Sequence, residues 1–278
     1  MKIFFGDNQF LGVNHSSGKG GKYLEKYETA ESIANTLRDA WEAGIRDFSF
    51  TVNKKTINAI NLVKRDCPFN LHPCLPYAHG VNELILEKGL AGAVLFKVRQ
   101  FGFLNLAIAA MEALFYRNRK LLKLLVRSEL EGVPMENVRS IGLLNVATDF
   151  ILGSKRFNLL QDFYFVIANE FNCKPTFYTM NFKKLADSTW GRGLNDCAIV
   201  FNFNKNSFRT NPSLEDVKDT IDQYKDKETI AMSLFSGSGP SEVSALLNEN
   251  TSLSGVLFGS SKKENIVSNY ALFSRAKK

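Results

Sequence analysis

This 278-residue chain carries only three histidines, His15, His72 and His79. His15 and His79 each come soon after a short β-rich apolar run, and Asp7 directly follows the first run, "IFFG". Asp7, His15 and His79 are therefore the candidate proton-transfer groups, because an acid or base at the end of a strand can face a bound substrate. His72 and His79 are separated by Pro73 and Pro76 and cannot form a helical metal-binding pair, so no metal is expected. Two serine–glycine stretches form a second chemical feature. "SGSG", Ser236–Gly239, and "GSS", Gly259–Ser261, each run from an apolar segment into a helix start. Backbone without side-chain bulk, hydroxyl groups and the unpaired N–H groups of a helix start suit a phosphate. Ser236, Gly237, Ser238, Gly259, Ser260 and Ser261 are the residues expected to hold it. A competing use is capping: Ser261 with Glu264 has the spacing of a capping box, and Gly239-Pro240 is an ordinary helix start. Lys205 could form a Schiff base with a carbonyl only if desolvated, and a solvated loop lysine is the plainer reading.

These residues need a frame, and eight short apolar runs supply one. They read "KIFFG", "RDFSFTV", "FNLHPCL", "VRSIGLLNV", "KPTFYTM", "CAIVFNF", "TIAMSLF" and "LSGVLFG". Amphipathic helix patterns separate most of them, among them "TAESIANTLRDAWEAG" and "NPSLEDVKDTIDQY". Alternating strand and helix from end to end predicts an α/β fold with a parallel sheet, and eight units predict a closed (β/α)8 TIM barrel over 1–278. The alternative, an open doubly wound sheet, would carry GxGxxG after its first strand, and none is present. In a barrel the site lies at the C-terminal ends of the strands. The residues there form an amide-rich ring, including Asn53, Asn145, Asn181, Asn202 and Asn204. Amides both donate and accept hydrogen bonds, so Asn181 and Asn202 are expected to orient a polar small-molecule ligand.

The segment 80–134 is too long for one crossover helix and is expected to be a helical insertion after the third strand. Between 92 and 130 lie Lys97, Arg99, Arg117, Arg119, Lys120, Lys123 and Arg127 against Glu112 and Glu129 alone. Much of the +7 formal charge sits there, so a nucleic-acid footprint over the whole surface is not expected. This basic amphipathic stretch suits packing on the barrel, a homo-oligomer interface or an anionic membrane surface. Cys67, Cys74, Cys173 and Cys197 form no CxxC, and "MKIFFGDNQF" has no signal-like apolar stretch. A cytoplasmic protein, peripheral at a membrane if the basic helix binds lipid, is the expectation.

Three segments resemble the aldo/keto reductase superfamily. "VLFGSSKKENIVSN" is similar to that family's last strand and cofactor-phosphate loop, and "TMNFKKLA" to its fifth-strand segment. "ETAESIANTLRDAWEAGIRDFSFT" resembles its first helix and second strand. The resemblance implies the same barrel, an NADP(H) or NAD(H) cofactor, and contact of Asn181 with the nicotinamide carboxamide. The catalytic Asp, Tyr, Lys and His of that family have no counterpart: Ser49-Phe50-Thr51 stands in place of Asp-Thr-Ala, and Asn145 near the position of the His. The expected protein is a barrel enzyme acting on a small polar carbonyl or phosphorylated ligand, an oxidoreductase with a rebuilt proton donor. A cofactor-free sugar-phosphate lyase or isomerase, or an inactive barrel serving as a binding or scaffold subunit, are the alternatives.

Overall fold

A computed structural model describes residues 1–12, 25–75 and 119–276. His15, His79 and most of the 80–134 segment lie outside the described residues. The eight strands are β1 (Lys2–Gly6), β2 (Asp47–Thr51), β3 (Asn70–Leu75), β4 (Ser140–Leu143), β5 (Lys174–Thr179), β6 (Ala198–Asn202), β7 (Glu228–Met232) and β8 (Gly255–Phe258). All pair in parallel and in sequence order, and β8 closes on β1 through Ile3↔Val256 and Phe5↔Phe258. The expected α/β barrel is thus the fold. Several strands are shorter than the apolar runs that announce them. The fourth run stops being strand at Leu143, because Asn145 already opens a helix.

Among the described residues the strands alternate with α1 (Ala30–Glu42), α2 (Lys54–Val63), α3 (Arg119–Glu129), α4 (Asn145–Gly153) and α5 (Phe157–Glu170). They continue with α6 (Phe182–Thr189), α7 (Leu214–Gln223), α8 (Pro240–Glu249) and α9 (Lys263–Arg275). Helix starts follow the sequence chemistry. Thr29 accepts the Ser32 N–H at 3.2 Å to cap α1, and Ser213 accepts the Asp216 N–H at 3.0 Å to cap α7.

Strand alternation divides the core in two. Phe5, Phe48, Phe50, Phe177 and Phe201 point outward into the layer between sheet and helices and are almost fully buried. Phe4, Cys74, Tyr178, Ala198, Val200 and Ile230 point inward and fill the barrel itself. A barrel strand is therefore apolar on both faces, which is why these runs read as continuous apolar stretches.

Within the described part of the expected insertion, α3 lies on α5. Val126 and Leu130 are buried, Arg119 reaches Asp162 at 2.8 Å, and Lys123 pairs with Glu170. Two of the basic residues that could have faced an anionic partner are thus neutralised on the barrel's own helix. No helix among the described residues is long and apolar enough to cross a membrane.

Candidate functional site

At the C-terminal end of β1 the chain turns into a short 3-10 turn, Asn8–Leu11, and Asp7 precedes it. The parallel pairing of β1 with β2 brings Thr51 alongside, and its backbone N–H donates to Asp7 Oδ2 at 2.7 Å. Asp7 is 6% exposed. Burial strips water from the carboxylate and pushes its pKa up to about 7; the hydrogen bonds from Thr51 pull it down only in part. A carboxyl tuned to neutrality can both give and take a proton at physiological pH.

The barrel interior near Asp7 is polar at a few chosen points. Tyr178 and Ser49 share a hydrogen bond of 2.6 Å, both buried. Desolvation, and the nearby Cys74 and Asp7, push the Tyr178 phenol well above its usual range, and burial does the same to the Cys74 thiol. Both are therefore neutral hydrogen-bonding groups. The β4 strand approaches this cluster closely at Gly142, where a Cβ would stand 2.8 Å from the Tyr178 ring and 3.2 Å from Cys74 Sγ. Tyr178, Ser49 and Cys74 are not among the site residues expected from the sequence. Their inward period-two alternation with Thr176, Asp47 and His72 is the signal that could have found them.

The last-strand loop adjoins Asp7. Gly259 continues β8 beyond its pairing with β1, and a Cβ there would collide with Gln9 Oε1. Gln9 is itself buried and donates to Gly6 O at 2.7 Å. Beyond Gly259 the expected Ser261–Glu264 capping box does not form. The first turn of α9 begins at Lys263, with Lys262 in the N-cap position and no side-chain cap. Ser260 Oγ instead lies 3.3 Å from the Lys262 N–H, and Lys26 Nζ donates to Ser261 O. Absence of the cap leaves the helix-start donors to another acceptor, with Lys26 and the exposed Lys262 beside them.

The "SGSG" loop after β7 is held from β6. Asn206 Nδ2 donates to Gly237 O at 2.7 Å and to Ser236 O at 3.3 Å. Gly237 has φ +72° and a Cβ there would collide with Asn206 Nδ2, so glycine is required on two counts. Replacing it with alanine is expected to free the loop and weaken any phosphate ligand about tenfold or more, readable by titration with inorganic phosphate. Ser238 Oγ is buried without a partner among the described residues. The start of α8 is used differently from that of α9. Glu242 accepts the Gly239 N–H at 3.0 Å and pairs with Lys205 at 2.8 Å. Glu242 raises the pKa of the exposed Lys205, so this lysine is a cation in an ion pair and not a Schiff-base nucleophile.

The amide ring largely serves the scaffold. Asn53 caps α2 by accepting the Thr56 N–H at 2.9 Å, and Asn181 caps α6 through the Lys184 N–H at 3.3 Å. Asn202 donates to Arg209 O at 3.1 Å and accepts from Ser233 Oγ at 2.7 Å, so both ends of its amide are spent on neighbouring loops. Asn204 closes the Phe208 turn through both its amide groups. Asp149, on α4, accepts from Thr179 Oγ1 and from the Met180 N–H at 3.0 Å, and burial raises its pKa. The structure thus sets Gly6 and Gln9, which flank Asp7, against Gly259, while Ser236–Ser238 lie in the loop after β7, Asn181 at the start of α6 beyond β5, and Asn202 at the end of β6. Among the described residues no three His, Cys, Asp or Glu side chains gather as a metal ion would require.

No family model matches the sequence, and no curated protein does. Two solved structures from Pseudomonas aeruginosa, each provisionally assigned as an aldo-keto reductase, resemble this chain over its whole length. One aligns with a TM-score of 0.59 over 99% of this chain and 91% of its own, at 10% identity. The other aligns with a TM-score of 0.56 over 99% and 90%, also at 10% identity. What this chain shares with those two proteins is the fold, a closed eight-stranded parallel barrel, in a widely diverged sequence.

Proposed function

We propose that this protein is an oxidoreductase of small polar carbonyl compounds, working at the C-terminal mouth of the barrel with NADP(H) or NAD(H). The observation that carries the reading is Asp7: a buried carboxyl tuned to about pH 7, in the β1 loop whose neighbouring residues Gly6 and Gln9 pack against Gly259 after the last strand. The residues present fit a phosphate-bearing cofactor. An uncapped α9 start, the Ser260 and Ser261 hydroxyls and Lys26 suit a phosphate, and Ser238 Oγ, without a partner among the described residues, offers a further donor. The amide of Asn181, whose Oδ1 is taken by the Lys184 N–H, has its Nδ2 left to donate among the described residues.

A bound nicotinamide supplies or accepts the hydride. The chain's part is to bind, to exclude water and to manage one proton. Asp7 in its protonated form donates to the developing alkoxide oxygen in reduction, and in the reverse direction its carboxylate takes the alcohol proton. The Thr51 N–H then stabilises the carboxylate left behind. Asp7 would replace the family's phenol donor.

Fluorescence titration with NADPH and NADH is the direct test. Saturable binding by the unaltered protein, weakened about a hundredfold or more by Ser260→Asp, is the expected result, since the new carboxylate repels a phosphate at the same helix start. If neither nucleotide binds while inorganic phosphate does, the oxidoreductase reading fails and sugar-phosphate chemistry without a cofactor takes its place.

A further inference from the structure

The opposite, N-terminal end of the barrel holds a second constellation with its own chemistry. Asp47, His72 and Ser140 stand on β2, β3 and β4, three consecutive strands. The registers Ser49↔His72 and Cys74↔Gly142 put His72 level with both Ser49 and Ser140, with Asp47 one inward step before Ser49 on β2. His72 Nε2 lies 2.9 Å from Asp47 Oδ1, and His72 Nδ1 lies 2.8 Å from Ser140 Oγ. A carboxylate can only accept, so Nε2 carries the ring proton. Nδ1 then presents its lone pair, and the Ser140 hydroxyl donates to it. This is a hydroxyl, a base and a carboxylate that orients the base, in the order that activates a serine. Which ring nitrogen faces which partner is immaterial to that chemistry, because the imidazole needs only one nitrogen for each.

Three further features set this relay apart from an ordinary strand-to-strand hydrogen bond. A cavity of about 70 Å³ opens beside it, lined by both His72 and Ser140. Its walls include the apolar Phe4, Ala198 and Ile230, and Phe4 holds the imidazole edge-on at 4.9 Å between ring centres. Cations stand at the cavity. Lys174, the register neighbour of Ser140, is bridged to Glu228 at 2.5 Å, and Lys2 to the same Glu228 at 3.2 Å. Lysine ammonium groups near the hydroxyl suit the negative charge that develops on a carbonyl oxygen under attack.

We propose that Ser140 is an acylatable nucleophile of a second site in the barrel floor, taking esters with a short acyl group. Ser140 Oγ bonds to the acyl carbon while its proton passes to His72 Nδ1. The ester C–O bond breaks, and His72 returns that proton to the leaving alcohol. Water then attacks the acyl-serine with His72 again as base, releasing the carboxylic acid and restoring the hydroxyl. A cavity of this size admits an acetyl group and leaves a larger alcohol portion at the mouth. The cavity wall includes Ser49 and Tyr178, which also adjoin Asp7, but the three reacting groups Asp47, His72 and Ser140 are none of the residues assigned to the Asp7 site, so acylation of Ser140 is read separately from the oxidoreductase activity.

The full-length protein is mixed with p-nitrophenyl acetate, quenched rapidly and mapped by peptide mass spectrometry, with nitrophenolate release followed in parallel. One acetyl group on the peptide containing Ser140 is expected, with a burst of nitrophenolate. Ser140→Ala should abolish that adduct, and His72→Gln, which keeps a polar side chain and whose fold is checked by circular dichroism, should slow it about a hundredfold. Asp47→Asn is near-isosteric, supplies a second variant checked in the same way, and should slow acylation more than tenfold. Acetylation confined to surface lysines, or acylation of Ser140 at the same rate in His72→Gln, overturns the proposal. Either result would make the three residues a hydrogen-bonded tie between β2, β3 and β4.

Discussion

Replacing Asp7 by asparagine is expected to cut the proposed carbonyl turnover sharply and, at the same time, to make the protein more stable at neutral and alkaline pH. The two effects have one cause. The free carboxyl titrates near 3.8 and the buried one near 7. Across that window the folded chain holds a proton that the unfolded chain has already released. Stability contributed by Asp7 is therefore full below about pH 4, falls as pH rises toward 7 and stays lost above it. Each tenfold change in proton affinity is worth about 1.4 kcal/mol, so the loss is roughly 4 kcal/mol. Asparagine keeps an oxygen to accept the Thr51 N–H and carries no charge to desolvate. Chemical denaturation of both proteins at several pH values gives the difference directly. The gap between variant and natural protein should widen from pH 4 to 7 in favour of the variant, then level off. A gap that does not change with pH would show that Asp7 ionises normally, and would remove the reason to assign it the proton. Turnover should fall by about a thousandfold, within the range for losing a general acid.

Alanine at position 142 has the second large effect, and it acts through packing. The added methyl would stand 2.8 Å from the Tyr178 ring and 3.2 Å from Cys74 Sγ, in an interior with no room to spare. Tyr178 cannot turn aside without breaking its 2.6 Å hydrogen bond to Ser49, leaving two buried hydroxyls to find other partners. A cost of about 1–3 kcal/mol is expected for overpacking alone. The Gly142→Ala, Tyr178→Leu double variant should be less destabilised than the sum of the singles, since a smaller residue at 178 gives the methyl its space. Strict additivity would mean that β4 does not press on Tyr178. Because this cluster adjoins Asp7, the single alanine variant should also shift the pH profile of turnover.

The eight strands and their order were legible in the sequence because each strand of a closed barrel is buried on both faces and so reads as a short unbroken apolar run. Asp7 was legible for a related reason: a carboxyl directly after such a run must sit at the C-terminal rim. The sequence could not show that burial would hold that carboxyl near neutrality, which depends on Thr51, forty-four residues away, and on the closure of β1 against β8. Local spacing also misled at the last helix. Ser261 and Glu264 have the interval of a capping box, but the chain enters α9 at Lys263 and leaves the helix start uncapped. The amide-rich rim was visible in composition, yet most of those amides answer local needs, at Asn53, Asn181 and Asn202, because loop backbone must satisfy its own donors and acceptors first. The Asp47–His72–Ser140 relay was wholly hidden. Its members are separated by twenty-five and sixty-eight residues, and only strand register decides that their side chains meet. Composition and periodicity are properties of neighbours along the chain and therefore determine elements and their order; which side chains converge is a property of register and closure, and only the tertiary structure decides it.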